Sequence, residues 1–275
     1  MRPALDSHVH LWDRTTDPQP WIDPATMPAI DRDFLPGDLE RMLKATGMGA
    51  AVVVQSSNSA AETRRLLGHR TPGIAGVVGW IDLTADPAGQ LDELDAVAPG
   101  RLVGIRHLVH LDPDPAWLAR PAVEAGLARL GERGLGFDLV LRWWQLPLAA
   151  SLAGARADVG FVVDHLGGVA EADDAQVWAG NLRDLARRPN TWAKVSGLAG
   201  LVTDDPDGVR RAMDAALEFF GPRRLMYGSD WPVAELGVGA VRWRETVDTL
   251  VAELSPAERA AILSETGAAF YRLGR

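Results

Sequence analysis

Two histidines alternate near the start of the chain, in the stretch Asp6-Ser7-His8-Val9-His10. On a β-strand, Asp6, His8 and His10 share one face, while Leu5, Ser7 and Val9 take the other. Three polar groups on one face of a buried strand need partners, because each one left bare costs about 1–3 kcal/mol. They can pair, bind a ligand or coordinate a metal. A lone histidine is most simply a satisfied core residue. An H-x-H pair ending the first strand of a barrel reads instead as part of a site.

Two later positions join it. In VGFVVDHLGG (159–168), Phe161, Val163 and His165 share a face, and His165 falls at the end of the strand. In LMYGSDWPV (225–233), Met226, Gly228 and Asp230 share a face, with Asp230 last. A carboxylate there serves as general base or metal ligand; the plainer alternative is a helix-capping aspartate.

Residues so far apart meet only if the fold gathers strand ends. Short apolar runs recur at Ala4–Leu11, Ala50–Gln55, Ile74–Ile81, Leu102–Val109, Phe137–Leu141, Gly160–Leu166, Thr191–Ser196 and Leu225–Ser229. Most are apolar nearly throughout, as parallel strands covered on both faces are. Helical periodicity marks Asp38–Thr46 (closed by Gly47), Pro121–Arg133, Ala175–Arg187, Pro206–Phe220 and Val241–Glu253. Strands alternating with helices predict a (β/α)₈ TIM barrel spanning residues 1–275 as one domain. A doubly wound sheet would offer a Gly-rich phosphate loop after its first strand, and none is present.

Residues 12–37 form a long proline-rich loop containing Trp21, expected to be a lid or pocket wall. The tail Ser255–Leu273 reads as a closing helix with a Ser255/Glu258 capping box.

Composition narrows the partners. The 275 residues carry a net charge of −9, which disfavours nucleic acid and anionic membrane. With no cysteine, thiolate metal sites and disulfides are excluded. No apolar run approaches the roughly 20 residues of a membrane span. No signal peptide is evident, so a cytoplasmic location is expected. A homo-oligomer is left open.

Five stretches carry a family resemblance: DSHVHLW (6–12), GIRH (104–107), VVDHLGG (162–168), KVSGL (194–198) and YGSDWPV (227–233). In order and spacing they resemble the metal-sparing lactonase branch of the amidohydrolase superfamily. That branch holds L-fuconolactonase, L-rhamnonolactonase and 2-pyrone-4,6-dicarboxylate lactonase. The W-x-D-L stretch at Trp80–Leu83 and DPDPAWL (112–118) extend the likeness across the chain. The resemblance implies that Asp230 activates water while His8, His10 and His165 bind and polarise a lactone carbonyl. Arg106 matches a position near the substrate in such enzymes, and His107, facing the other way, is then supporting or structural.

The fifth strand, FDLVLR (137–142), puts Asp138 and Arg142 on one face and has no histidine, which disfavours a two-metal centre. No cofactor is expected to be required. A single zinc-type ion at His8, His10, His165 and Asp230 stays open. Lys194 either contacts substrate or is a core lysine paired with Asp138 or Asp6. Arg142, Trp144 and Trp12 are further substrate-binding candidates, with Trp143 and Trp231 beside them. His69 reads as a surface residue. The expected reaction is opening of a sugar aldonolactone, such as a fucono-, rhamnono- or galactono-lactone, to its hydroxy acid. The alternative is a mononuclear zinc-dependent decarboxylase of the same superfamily.

Overall fold

A computed structural model describes residues 3–274. Its eight strands lie in one parallel sheet in chain order, β1 (Leu5–Val9), β2 (Ala50–Val54), β3 (Ile74–Gly79), β4 (Leu102–His107), β5 (Gly136–Leu139), β6 (Phe161–Val163), β7 (Thr191–Val195) and β8 (Leu225–Tyr227). The ring closes where Val9 bridges Trp231 and where the Asp230 amide donates to the His8 carbonyl at 2.9 Å. This is the expected (β/α)₈ barrel, and its closing seam brings the first and last motifs together.

Alternation along the strands sorts the core. Val52, Val54, Val78, Val162 and Met226 cluster with Tyr271. Their neighbours Ala51, Val53, Val77, Phe161 and Val163 join the larger cluster that includes the helices. Each buried side chain of this size contributes roughly 1.5–3 kcal/mol. Residues 256–270 form the tail: a turn of α-helix at Pro256–Ala260, a π-helical turn at Ala261–Glu265 and a last helix at Thr266–Phe270. From beyond that helix, the Tyr271 hydroxyl reaches into the barrel and donates to Asp138 at 2.8 Å.

The helices at Pro121–Arg133 and Pro206–Phe220 match their sequence periodicity end to end, and Gly47 takes the left-handed φ of 69° that ends the first helix. The Ser255 hydroxyl accepts from the Glu258 amide at 3.3 Å, as its capping box requires. Three further helices are Ala60–Gly68, Pro87–Val97 and Leu146–Ala155, of which the last two carry little periodic contrast. The last, LPLAASLAGA, is almost uniformly apolar, so no stripe stands out. Several strands end earlier than their apolar runs. Gln55, His165 and Asp230 lie beyond the regular ladder, in the loops that bear the site.

The long 12–37 loop is pinned rather than loose. Trp12 and Phe34 exchange backbone hydrogen bonds at 3.1 and 2.9 Å, and the Trp12 indole donates to the Arg32 carbonyl at 2.8 Å. It is a wall of the pocket. Among the described residues, no helix is long and apolar enough to cross a membrane.

Candidate active site

β1 delivers the two histidines as its alternation requires. His10 Nδ1 lies 2.8 Å from the Val54 carbonyl oxygen, so it carries a proton and leaves the Nε2 lone pair free. That Nε2 sits 3.1 Å from His8 Nε2 and 3.4 Å from Asp230 Oδ1, while His8 Nε2 is 3.6 Å from the same oxygen. Gly228 permits this approach, because a Cβ there would fall 2.7 Å from the His8 Cβ.

His165 arrives differently from what alternation predicts. Phe161 and Val163 point toward the helices, so regular continuation would send His165 outward. The strand instead ends at Val163, and His165 turns back to the cavity with φ at 54°. Asp230, on the inward face of Met226, also lines the cavity and also has left-handed backbone, with φ at 60°. Left-handed backbone in a non-glycine residue costs about 1–2 kcal/mol and is characteristic of functional sites. Ser196 holds His165 Nδ1 at 2.9 Å, and Gly197 leaves room for the ring, since a Cβ there would meet it at 2.5 Å.

The residue that does continue the inward face of β6 is Asp164, two positions after Val162. It anchors a buried ionic floor. Arg106 Nη1 donates to Asp164 Oδ2 at 2.9 Å, and Lys194 Nζ lies 2.9 Å from Asp164 Oδ1. Lys194 also reaches Asp138 Oδ2 at 2.5 Å and His8 Nδ1 at 3.0 Å. Burial pushes the Asp164 carboxyl up, but Lys194, His8 and Arg106 outweigh it and hold it well below the usual range. At Asp138 burial wins over Lys194, and the carboxyl rises to about 6. Burial, reinforced by the Lys194 charge, holds His8 well below the ordinary imidazole value, so it is neutral. His165 is lowered by burial as well. Burial also raises Asp230, but His165, His10 and His8 together overcome it and keep the group a carboxylate.

A lysine ammonium only donates, so His8 Nδ1 accepts from Lys194 and the ring carries its proton on Nε2, toward His10 and Asp230. With the His8 proton moved instead to Nδ1, toward Asp164 Oδ1, the atoms His8 Nε2, His10 Nε2 and Asp230 Oδ1 suit one divalent ion. Edges of 3.1, 3.4 and 3.6 Å bracket the roughly 3.3 Å expected between ligands of a tetrahedral zinc with 2.0–2.1 Å bonds. His10 has the outer hydrogen bond to a carbonyl that metal-bound histidines use. For His8, Asp164 Oδ1 at 3.4 Å from Nδ1 is the group available for that role. The donor set fits a single ion at His8, His10 and Asp230. His165 is not in that trio; it groups with His8 and Asp164.

Above the floor opens a cavity of about 340 Å³, lined by His10, Arg106, His165 and Asp230 together with Trp21, His110 and Glu171. Trp21 is held by a relay: its indole N–H donates to Gln19 Oε1 at 3.0 Å, and buried Gln19 donates to Asp17 Oδ2 at 3.1 Å. Arg65 holds Asp17 at 2.5 Å. With its N–H engaged, Trp21 has only its ring to offer a ligand.

The other expected wall residues lie elsewhere. Trp12 is fully buried behind His10, with ring centroids 6.4 Å apart, and does not reach the cavity. Trp144 is 48% exposed on the outer surface of the loop after β5, away from the lining. Arg142 sits at the rim paired with Glu171 rather than facing inward beside Asp138, because β5 stops at Leu139. His107 faces outward from Arg106, stacked on Trp117 at 3.9 Å, accepting from the Trp80 indole at 3.1 Å and donating to Asp112 at 2.8 Å. The Trp80 and 112–118 motifs thus meet around it. Asp164, His110 and Glu171 carry no sequence expectation as site residues, while Trp21 falls in the loop expected to wall the pocket. The step from Val162 to Asp164 was the readable signal for the first.

A family model described as amidohydrolase matches residues 5–273. The chain belongs to the amidohydrolase family. This amidohydrolase is 35% identical to an L-fucono-1,5-lactonase of Burkholderia multivorans, over 98% of this chain and 96% of that protein. It is 32% identical to an L-fucono-1,5-lactonase of Burkholderia ambifaria, with the same shares covered. The crystal structure of an amidohydrolase from Burkholderia multivorans with bound zinc superposes on it with a TM-score of 0.90, at 35% identity, covering 99% of this chain and all (100%) of that one.

Proposed function

We propose that this amidohydrolase opens a neutral sugar lactone, of the fucono-, rhamnono- or galactono-lactone kind, to its hydroxy acid. The observation that carries the reading is the Asp230 carboxylate, turned into the cavity by its left-handed backbone and ringed by His8, His10 and His165, with Arg106 on the floor. The lactonases among its relatives support the same chemistry.

In this reading Asp230 takes a proton from water as the water oxygen bonds to the lactone carbonyl carbon. The Arg106 guanidinium and His165, which both line the cavity, face the developing oxyanion, and such preorganised donors contribute about 3 kcal/mol each. Both are fixed from behind, His165 by Ser196 and Arg106 by Asp164. Collapse of the tetrahedral intermediate breaks the ring C–O bond, and the leaving alkoxide takes the proton back from Asp230. An ion at His8, His10 and Asp230 would supply Lewis-acid polarisation of the carbonyl and a more acidic water. The decarboxylase reading has less support, because the named relatives are lactonases.

The test is a pH-indicator assay over a panel of aldonolactones, run with and without chelator. Acid release from at least one lactone is expected. No release from any, with release of carbon dioxide from an aromatic acid instead, would reverse the two readings. Trp21 gives a narrower expectation. Trp21→Ala should raise KM about fivefold, from the loss of roughly 1 kcal/mol of ring contact, and change kcat less. Trp21→Phe should recover most of it, and an unchanged KM in Trp21→Ala would remove the ring from the binding surface.

A further inference from the structure

The charges around the cavity are matched within the protein. Arg106 is the one arginine among the described lining residues, and Asp164 neutralises it at 2.9 Å. Arg142 lies just behind the rim. Its Nη1 is held by Glu171, and its Nε donates to the His110 carbonyl at 3.4 Å. Glu171 itself lines the cavity, so its carboxylate both occupies Arg142 and turns negative charge toward the opening. His110 adds no cation, since burial, with Arg106 and Arg142 nearby, pushes its imidazole down to about 3. Its Nδ1 is buried without a hydrogen-bond partner in the protein.

We propose that Glu171 is the charge-selecting residue of this cavity. It masks Arg142, so neutral polyhydroxylated lactones are accepted and lactones bearing a free carboxylate are turned away. The proposal rests on the lactonase reading and narrows it. An anion at the rim meets the Glu171 carboxylate and finds no unpaired guanidinium. A sugar hydroxyl finds that carboxylate as an acceptor. Rejection of the wrong charge is specificity by repulsion as much as by attraction. The side chains of Arg142 and Glu171 are 37% and 56% exposed, so the pair adds little to stability and can be altered in the folded protein.

The experiment compares wild type, Glu171→Gln and the double variant Glu171→Gln/Arg142→Gln. Each is assayed on a neutral aldonolactone and on an aldarolactone carrying a free carboxylate, and citrate binding is measured by calorimetry. In Glu171→Gln the ratio of kcat/KM for the aldarolactone over the aldonolactone should rise at least about fivefold, the effect of freeing one partly exposed ion-pairing group. Citrate should bind more tightly by a similar factor. Adding Arg142→Gln should remove both gains. An unchanged ratio in Glu171→Gln, or a gain that survives loss of Arg142, overturns the proposal. Should wild type open neither lactone, the lactonase reading fails. Citrate affinity then decides the role of Glu171 alone: tightening supports it, and no change overturns it.

Discussion

Asp230→Asn reduces lactone hydrolysis by about a thousandfold or more, within the range general-base removal commonly produces, while substrate still binds. The amide is nearly isosteric, so the ring of His8, His10 and His165 keeps its packing. What disappears is the only carboxylate that the last strand turns into the cavity, held ionised by the three histidines against the effect of burial. Binding is checked by calorimetry with the lactone or its hydroxy acid, and chemistry by single-turnover acid release. Near-wild-type turnover in this variant would remove Asp230 as base and shift attention to the histidines. A fall in affinity as large as the fall in rate would instead make it a binding residue.

Lys194→Met destabilises the fold by about 3–5 kcal/mol at pH 8, the usual consequence of removing one partner from a buried ion pair. Lys194 is fully buried and within 3.0 Å of Asp138, Asp164 and His8, so its loss leaves Asp138 with only the Tyr271 hydroxyl. The deficit should shrink as the pH falls. The Asp138 carboxyl is already raised from 3.8 to about 6 by burial, and without the ammonium it rises further. Between its unfolded and folded values the native state holds a proton that the unfolded chain has released. Stability from that group is therefore present at low pH and lost as pH rises through the folded value. Urea midpoints at pH 5.5 and pH 8 test this, with the larger difference from wild type expected at pH 8. Equal differences at the two pH values would show that Asp138 is not the group left exposed to the penalty. Activity should fall too, because His8 loses the donor that fixes its tautomer.

The barrel was legible because parallel strands buried on both faces are apolar without interruption, a pattern that does not depend on partners. Seven of the eight apolar runs contain a strand, and the fifth, Phe137–Leu141, overlaps the strand Gly136–Leu139. The H-x-H pair was legible for the same local reason: period-two alternation holds inside β1, so His8 and His10 had to share a face. Asp230 and His165 were identified by motif and position. The orientation of His165 was not available to a strand argument, because it lies past the last ladder residue and takes left-handed backbone.

Where alternation was extended too far, it misled. It carried Arg142 inward beyond the end of β5 and aligned His165 with Phe161 and Val163, while the next inward residue of β6 was Asp164. Long-range pairing decided the rest. Trp12 and Trp21 stand nine residues apart in one loop of the sequence, yet one is sealed behind His10 and the other walls the cavity. The difference comes from the hydrogen bonds of Arg32, Gln19, Asp17 and Arg65, which no local pattern encodes. The sequence alone determined the barrel, the strand that begins the site and the residue types available for chemistry. Only the tertiary structure decided which charges neutralise one another, because burial in a shared interior couples Lys194 to Asp138 and Asp164, and loop packing couples Arg142 to Glu171.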